Sequence, residues 1–130
     1  MPQVDLADAG WTVWSGQAVW RPRAERPSLA GELIVARNVR GDVLVNFSKP
    51  PFSIFTAQTS EGSWKIDFIE SERSYSGKGR PPKRFVWFYL PDILGGAPPP
   101  GNWTAEPAAE DEWKIVSTKT GEAIRLVIDR

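Results

Sequence analysis

Paired carboxylates are the first residues in this chain that could do chemistry. Acid and base work needs two carboxyl groups held at a defined separation. Acidic side chains crowd at Glu70 with Glu72 and at Glu110, Asp111 and Glu112. Both groups fall at the ends of alternating segments, among polar residues, which is the setting of solvated charge. From the pattern around it, Gly77-Lys78-Gly79 is expected to have neither the strand before it nor the helix after it that would aim backbone N–H groups at a phosphate. The chain has no histidine and no cysteine. A serine nucleophile therefore has only a lysine to activate it, and thiolate metal sites and disulfides are ruled out. The expectation is a noncatalytic protein with no metal site and no cofactor.

Charge narrows the partners. Sixteen acidic residues balance sixteen basic ones, so no overall field draws nucleic acid or an anionic surface to the molecule. The run Lys78-Gly79-Arg80-Pro81-Pro82-Lys83-Arg84 concentrates four positive charges. Its two prolines hold it extended, as a solvated loop rather than a helix that reads a nucleic-acid groove. No window of about 18 apolar residues could span a bilayer. The opening MPQVDLADAG lacks the basic start and apolar core of a secretory signal, so any leader or lipid-bearing cysteine is expected to lie outside this chain.

The elements that must position these residues are strands. In Gly62–Glu70, Trp64, Ile66 and Phe68 share one face and Lys65 and Asp67 the other, which is the period of a half-buried strand. Further strands are expected at Trp11–Trp20, Glu32–Asn38, Asp42–Ser48, Ser53–Thr59, Glu112–Thr118 and Glu122–Asp129. Glycines in Arg40-Gly41-Asp42, Ser60-Glu61-Gly62 and Lys119-Thr120-Gly121-Glu122 suit tight hairpins, so strands adjacent in sequence should pair antiparallel. From Arg84 the segment RFVWFYLPDILGGAPPPGNW is too apolar for an exposed loop. Pro91 limits a helix there to a turn or two, Gly95-Gly96 should end it, and Pro98-Pro99-Pro100 should run extended to Trp103. The segment reads as a strand or short helix lying across the sheet.

With so little helix, the apolar face of the sheet must close on itself as a barrel or sandwich, or surround a cavity. The 130 residues make one domain, 1–130. Seven tryptophans and six phenylalanines suit either a packed core or the wall of an apolar site. Ser48–Phe55, SKPPFSIF, breaks the strand pattern with two prolines and sets Phe52 behind them. If Phe52 shares the buried face of Ile54 and Thr56, this is an ordinary hairpin. If the prolines project it into water, it forgoes roughly 1.5–3 kcal/mol of burial and should have a membrane or a partner to meet.

Four stretches resemble the LolA/LolB lipoprotein-localisation family, its LolB branch most closely. They are Ser15-Gly16-Gln17-Ala18-Val19, Asp42–Pro50, Phe88–Pro98 with its Leu94-Gly95-Gly96-Ala97-Pro98 ending, and the closing strand Ile124–Asp129. The chain is shorter than is usual for LolB, its lid helices shrink to the Pro91 region, and Pro-Pro-Phe stands where the family commonly has proline, an aliphatic residue and glycine. The resemblance implies a single antiparallel, unclosed β-barrel with at most a short helix across its mouth and an apolar cavity for lipoprotein acyl chains. It implies a monomer on the inner face of the bacterial outer membrane, in the periplasm, that receives cargo from a LolA-like carrier and inserts it into the outer-membrane lipid surface. Pro50, Pro51 and Phe52 occupy the place of the family's membrane-insertion loop. Strand parity puts Trp20, Leu33, Val35, Val45, Phe47, Ile66, Phe68, Trp87 and Phe88 on the cavity wall. Two rival readings are an interaction module binding sugar or protein through exposed aromatics, and an enzyme whose carboxylates or lysines converge from distant strands.

Overall fold

The computed structural model describes residues 10–23, 25–69 and 71–129. Glu70 and the first nine residues, discussed above, lie outside the described residues. Nine strands form a single antiparallel sheet: β1 (Trp11–Arg21), β2 (Leu29–Asn38), β3 (Val43–Lys49), β4 (Phe52–Ser60), β5 (Ser63–Phe68), β6 (Arg73–Lys78), β7 (Trp103–Ala109), β8 (Glu112–Ser117) and β9 (Ala123–Ile128). Their order is β6-β5-β4-β3-β2-β1-β9-β8-β7. The sheet does not close, and β6 and β7 are its edges. All seven strands expected from alternation are present, with ends shifted by a few residues. The molecule is thus mainly β, an open antiparallel barrel.

The two added strands are the edges, for a physical reason. An edge strand pairs on one side only, tolerates proline and need not bury a face. Nearly all of β6 is exposed or half-exposed and β7 carries Pro107, so neither shows an apolar period.

Segment 79–102 bridges the two edges. Phe85 packs on Tyr75 of β6 at 5.4 Å, and Trp103 Nε1 of β7 donates a hydrogen bond to the Lys83 carbonyl at 2.9 Å. Between these contacts a 3₁₀ turn, Val86–Tyr89, runs into the short helix α1, Leu90–Leu94. Pro91 sits in the first turn of α1, where its missing N–H costs nothing. Arg37 of β2 pairs with Asp92 of α1 at 2.7 Å, which lays the helix over the end of the barrel that carries the β2–β3 and β4–β5 turns.

Inward side chains follow the alternation closely. In β3, Val43, Val45 and Phe47 are buried, and in β9, Ile124, Leu126 and Ile128. Trp87 projects from the 3₁₀ turn into the concave face. Its ring lies 4.5 Å from Phe55, 5.7 Å from Trp20 and 5.9 Å from Phe47. Offset and edge-on pairs of this kind add about 0.5–1.5 kcal/mol each beyond the area they bury.

Gly16 lets the two halves of the sheet meet. It lies on β1 opposite Ile128 of β9, and a Cβ there would stand 2.0 Å from the Val127 carbonyl oxygen and 2.9 Å from the Ile128 Cα. Both neighbours are backbone and cannot rotate away. Gly16→Ala must push β1 and β9 apart, so it should destabilise by at least the 1–3 kcal/mol typical of overpacking, read as a lower urea midpoint. Gly41→Ala should leave this contact untouched, since a Cβ at Gly41 meets nothing within 4 Å; it feels only the local strain of its positive φ.

Candidate functional site

Phe52 is the starting point, because its orientation separates the two sequence readings. Lys49 pairs with Phe52 across the β3–β4 hairpin, leaving Pro50 and Pro51, joined by a cis peptide bond, as the two-residue connection. A register shift follows at Phe47/Ser48, so that Phe47 pairs with Phe55 while Ser48 pairs with Ser53. The buried positions of β4 are Phe55 and Ala57. Thr56 faces the other way and accepts a hydrogen bond from Asn46 Nδ2 at 3.0 Å. Phe52 lies beyond the register shift, next to the turn, and its side chain is 74% exposed.

The proline turn belongs to one end of the barrel. Antiparallel pairing brings the β1–β2 loop (22–28), the β5–β6 turn (69–72) and the β8–β9 turn (118–122) to the same end, opposite the end covered by α1. Two further apolar side chains stand exposed here, Ile69 (51%) and Leu29 (37%). Ile69 N–H donates to the Ile54 carbonyl at 2.9 Å, which fastens the β5–β6 turn to the base of the proline hairpin.

Between these loops lies an open groove of about 510 Å³, within the roughly 300–1,000 Å³ range of small-ligand sites. Trp20, Phe68, Ile54 and Leu29 make its apolar floor, Pro22 and Pro27 its stiff side, and Arg23, Arg26 and Arg73 its charged edge. Trp20 and Phe68 stack at 6.2 Å with planes 23° apart. Trp20 is held from below as well, because its Nε1 donates to Glu122 Oε2 at 2.9 Å. Burial pushes the Glu122 carboxyl up from 4.5 to about 7, against a smaller opposing effect of that hydrogen bond.

The structure brings together most of the residues expected on a cavity wall, as mutual packing partners. Trp20, Leu33, Val35, Val45, Phe47, Ile66, Trp87 and Phe88 are buried in one hydrophobic cluster, and Phe68 packs against it half-buried. Trp87 occupies the centre of that cluster, while Trp20 and Phe68 also border the groove. Among the described carboxylates, Glu110 and Asp111 lie at the β7–β8 turn, and Glu112 pairs with Arg125 at 3.1 Å. In the basic run, the Arg84 guanidinium lies 4.6 Å from the centre of the Phe85 ring and 5.4 Å from that of Tyr75, a cation–π arrangement that ties the run to the barrel edge.

Sequence reasoning missed the groove arginines and Glu122. The signal for the first was present in Arg21-Pro22-Arg23-Ala24-Glu25-Arg26-Pro27, a proline-bounded basic loop directly after an inward tryptophan. Glu122 looked like an ordinary hairpin residue, and only the Trp20 partner 102 positions away reveals it. Fold and site together define an open antiparallel barrel with an aromatic interior and an apolar, arginine-edged groove at its uncovered end. No family model matches the chain, and no curated protein matches it significantly.

Proposed function

We propose that this chain is a noncatalytic lipid-handling protein of the bacterial envelope, which holds lipoprotein acyl chains and helps pass them into the outer membrane. The observation that carries this reading is Phe52, an exposed phenylalanine on a turn stiffened by two prolines, at the end where an apolar groove opens. An apolar side chain held in water by a short, φ-restricted turn is set to enter another apolar medium at little conformational cost. The groove floor of Trp20, Phe68, Ile54 and Leu29 supplies the apolar host from which a chain would leave. Each CH₂ kept from water is worth about 0.8 kcal/mol, so transfer proceeds only where the two hosts adjoin. Phe52 and Ile69 mark that junction. A LolA-like carrier as donor, a periplasmic location and a monomeric state belong to the same reading.

Phe52→Glu tests it. The variant should sediment with phospholipid vesicles at least several-fold less than the parent and should lose lipoprotein insertion, with its thermal midpoint unchanged because the side chain packs on nothing in the core. Unchanged vesicle binding together with unchanged insertion would sink the reading.

The packed interior around Trp87 favours a second reading, an interaction module for sugar or protein. That module needs a patch of exposed aromatics, yet the exposed large apolar side chains among the described residues are aliphatic apart from Phe52. Soluble glycans or a partner protein binding in the absence of any lipid would support it.

A further inference from the structure

The groove at the uncovered end combines two surfaces that a purely apolar cargo would not need. Its floor is aromatic and aliphatic, and its edge carries Arg23 and Arg26 from the β1–β2 loop and Arg73 from the start of β6. All three arginines are exposed. None takes part in an ion pair among the described residues, whereas Arg37, Lys65 and Arg125 do. Glu25 and Glu72 are close to them in sequence, but the described residues that line the groove include no carboxylate. Three guanidinium groups thus stand beside the apolar floor, with no carboxylate among the described residues that line it.

Arginine guanidinium groups are shaped to receive a phosphate through paired hydrogen bonds, and they give up their hydration more readily than an ammonium does. An apolar floor of two stacked rings beside them fits the first methylenes of a chain attached to that phosphate. We infer that the groove seats one anionic phospholipid of the target membrane, its phosphate among Arg23, Arg26 and Arg73 and the start of its acyl chain along Trp20 and Phe68. This deepens the lipid-handling reading and rests on it: Phe52 and Ile69 enter the bilayer, and the arginine edge selects which bilayer and fixes the angle of approach. Bound this way, a membrane lipid lies where cargo acyl chains would leave, and the two would exchange across one continuous apolar floor.

The experiment compares vesicles of phosphatidylcholine alone with vesicles containing one third phosphatidylglycerol, at fixed ionic strength. Three proteins are used: the parent, Arg23→Gln/Arg26→Gln in the groove, and Arg40→Gln/Lys78→Gln at the opposite end. The two variants remove the same charge from exposed positions, and their thermal midpoints verify folding. The parent should favour the anionic vesicles. The groove variant should lose about fivefold in anionic binding per arginine removed and keep its binding to phosphatidylcholine, while the opposite-end variant keeps the preference. Phosphatidylglycerol with brominated chains should quench the emission of the parent more than that of Trp20→Phe.

Equal binding of the parent to both vesicles overturns the inference and leaves the lipid-handling reading standing. Equal losses in the two charge variants overturn it too, since diffuse attraction then explains the preference. Inorganic phosphate that abolishes the preference at unchanged ionic strength shows a site for the free anion and rejects the lipid. Absence of binding to either vesicle removes the lipid-handling reading and the inference with it.

Discussion

Trp87→Ala should destabilise the protein by about 3–5 kcal/mol, the cost of truncating a large buried aromatic. Against the 5–15 kcal/mol that holds a typical domain folded, that is a large fraction of the whole. The ring is 1% exposed and touches Trp20, Phe47 and Phe55, which come from three different strands. Removing it takes away the ring that the bridging segment inserts among them. For a chain of this length the loss corresponds to a fall of roughly 10–20 °C in thermal midpoint, measurable by circular dichroism. Trp87→Phe keeps most of the volume and should lose much less. The alanine variant also leaves an apolar void, and such voids stay dry and accept small apolar guests. Indole has the shape of what was removed, so adding it should return part of the lost midpoint to Trp87→Ala and none to the parent. Recovery by indole would also show that the interior of this barrel can take an apolar guest once its own ring is gone.

The position of Trp87 explains how much of the molecule could be read from its sequence. Alternation is a local signal, and it found every strand that buries one face, from β1 through β5 and again in β8 and β9. It also marked the inward positions, because the face of a residue follows from its parity and parity needs no knowledge of neighbours. The edge strands β6 and β7 escaped because they have little to bury. The segment after Arg84 was recognised as apolar and interrupted, and it folds as a 3₁₀ turn and a short helix. What parity cannot tell is whether an inward face surrounds space or another side chain. That depends on where a distant segment places one ring: of the residues that read as a cavity wall, Trp20 and Phe47 have the Trp87 ring against them.

The site divides along the same line. Pro50, Pro51 and Phe52 stood out because prolines end strands by their own covalent geometry. The orientation of Phe52 did not follow from parity, because the register shift at Phe47/Ser48 changes the count by one. The groove arginines come from a loop and from an edge strand, neither of which has a period to follow. Their convergence beside Trp20 and Phe68 is a product of topology, visible only when the β1–β2 loop and the β5–β6 turn arrive at one end. Local chemistry marks the proline turn and leaves the side of its phenylalanine open; long-range pairing exposes that side chain and supplies the surface beside it.

Glu122 yields the second large effect, and its sign follows from linkage. Its carboxyl titrates near 7 in the folded protein and near 4.5 in the unfolded chain, because burial penalises the charged form. Between those values the folded state holds a proton that the unfolded state has released, so stability falls as pH rises through that window. The extra stability is fully present below about 4.5 and is lost as pH climbs through about 7. At 1.36 kcal/mol for each tenfold change in acidity constant, the whole effect is at most about 3 kcal/mol. Lys83, Arg84 and Lys119 border the recess that contains Glu122, yet none forms an ion pair with it among the described residues. Glu122→Gln keeps an oxygen that can accept from Trp20 Nε1 and removes the titration. The variant should match the parent near pH 4, exceed it by up to about 3 kcal/mol near pH 8, and flatten the urea-midpoint profile between. Glu112→Gln, which alters a carboxylate paired with Arg125, should leave the slope in place. A parent whose stability rises from pH 5 to pH 8 as steeply as the variant's would mean that Glu122 is ionised in the folded protein. If the slope instead falls as expected, the hydrogen bond that positions Trp20 at the groove floor changes character near neutral pH. Acyl-chain affinity measured across the same range in the parent and in Glu122→Gln should then differ only above about pH 7.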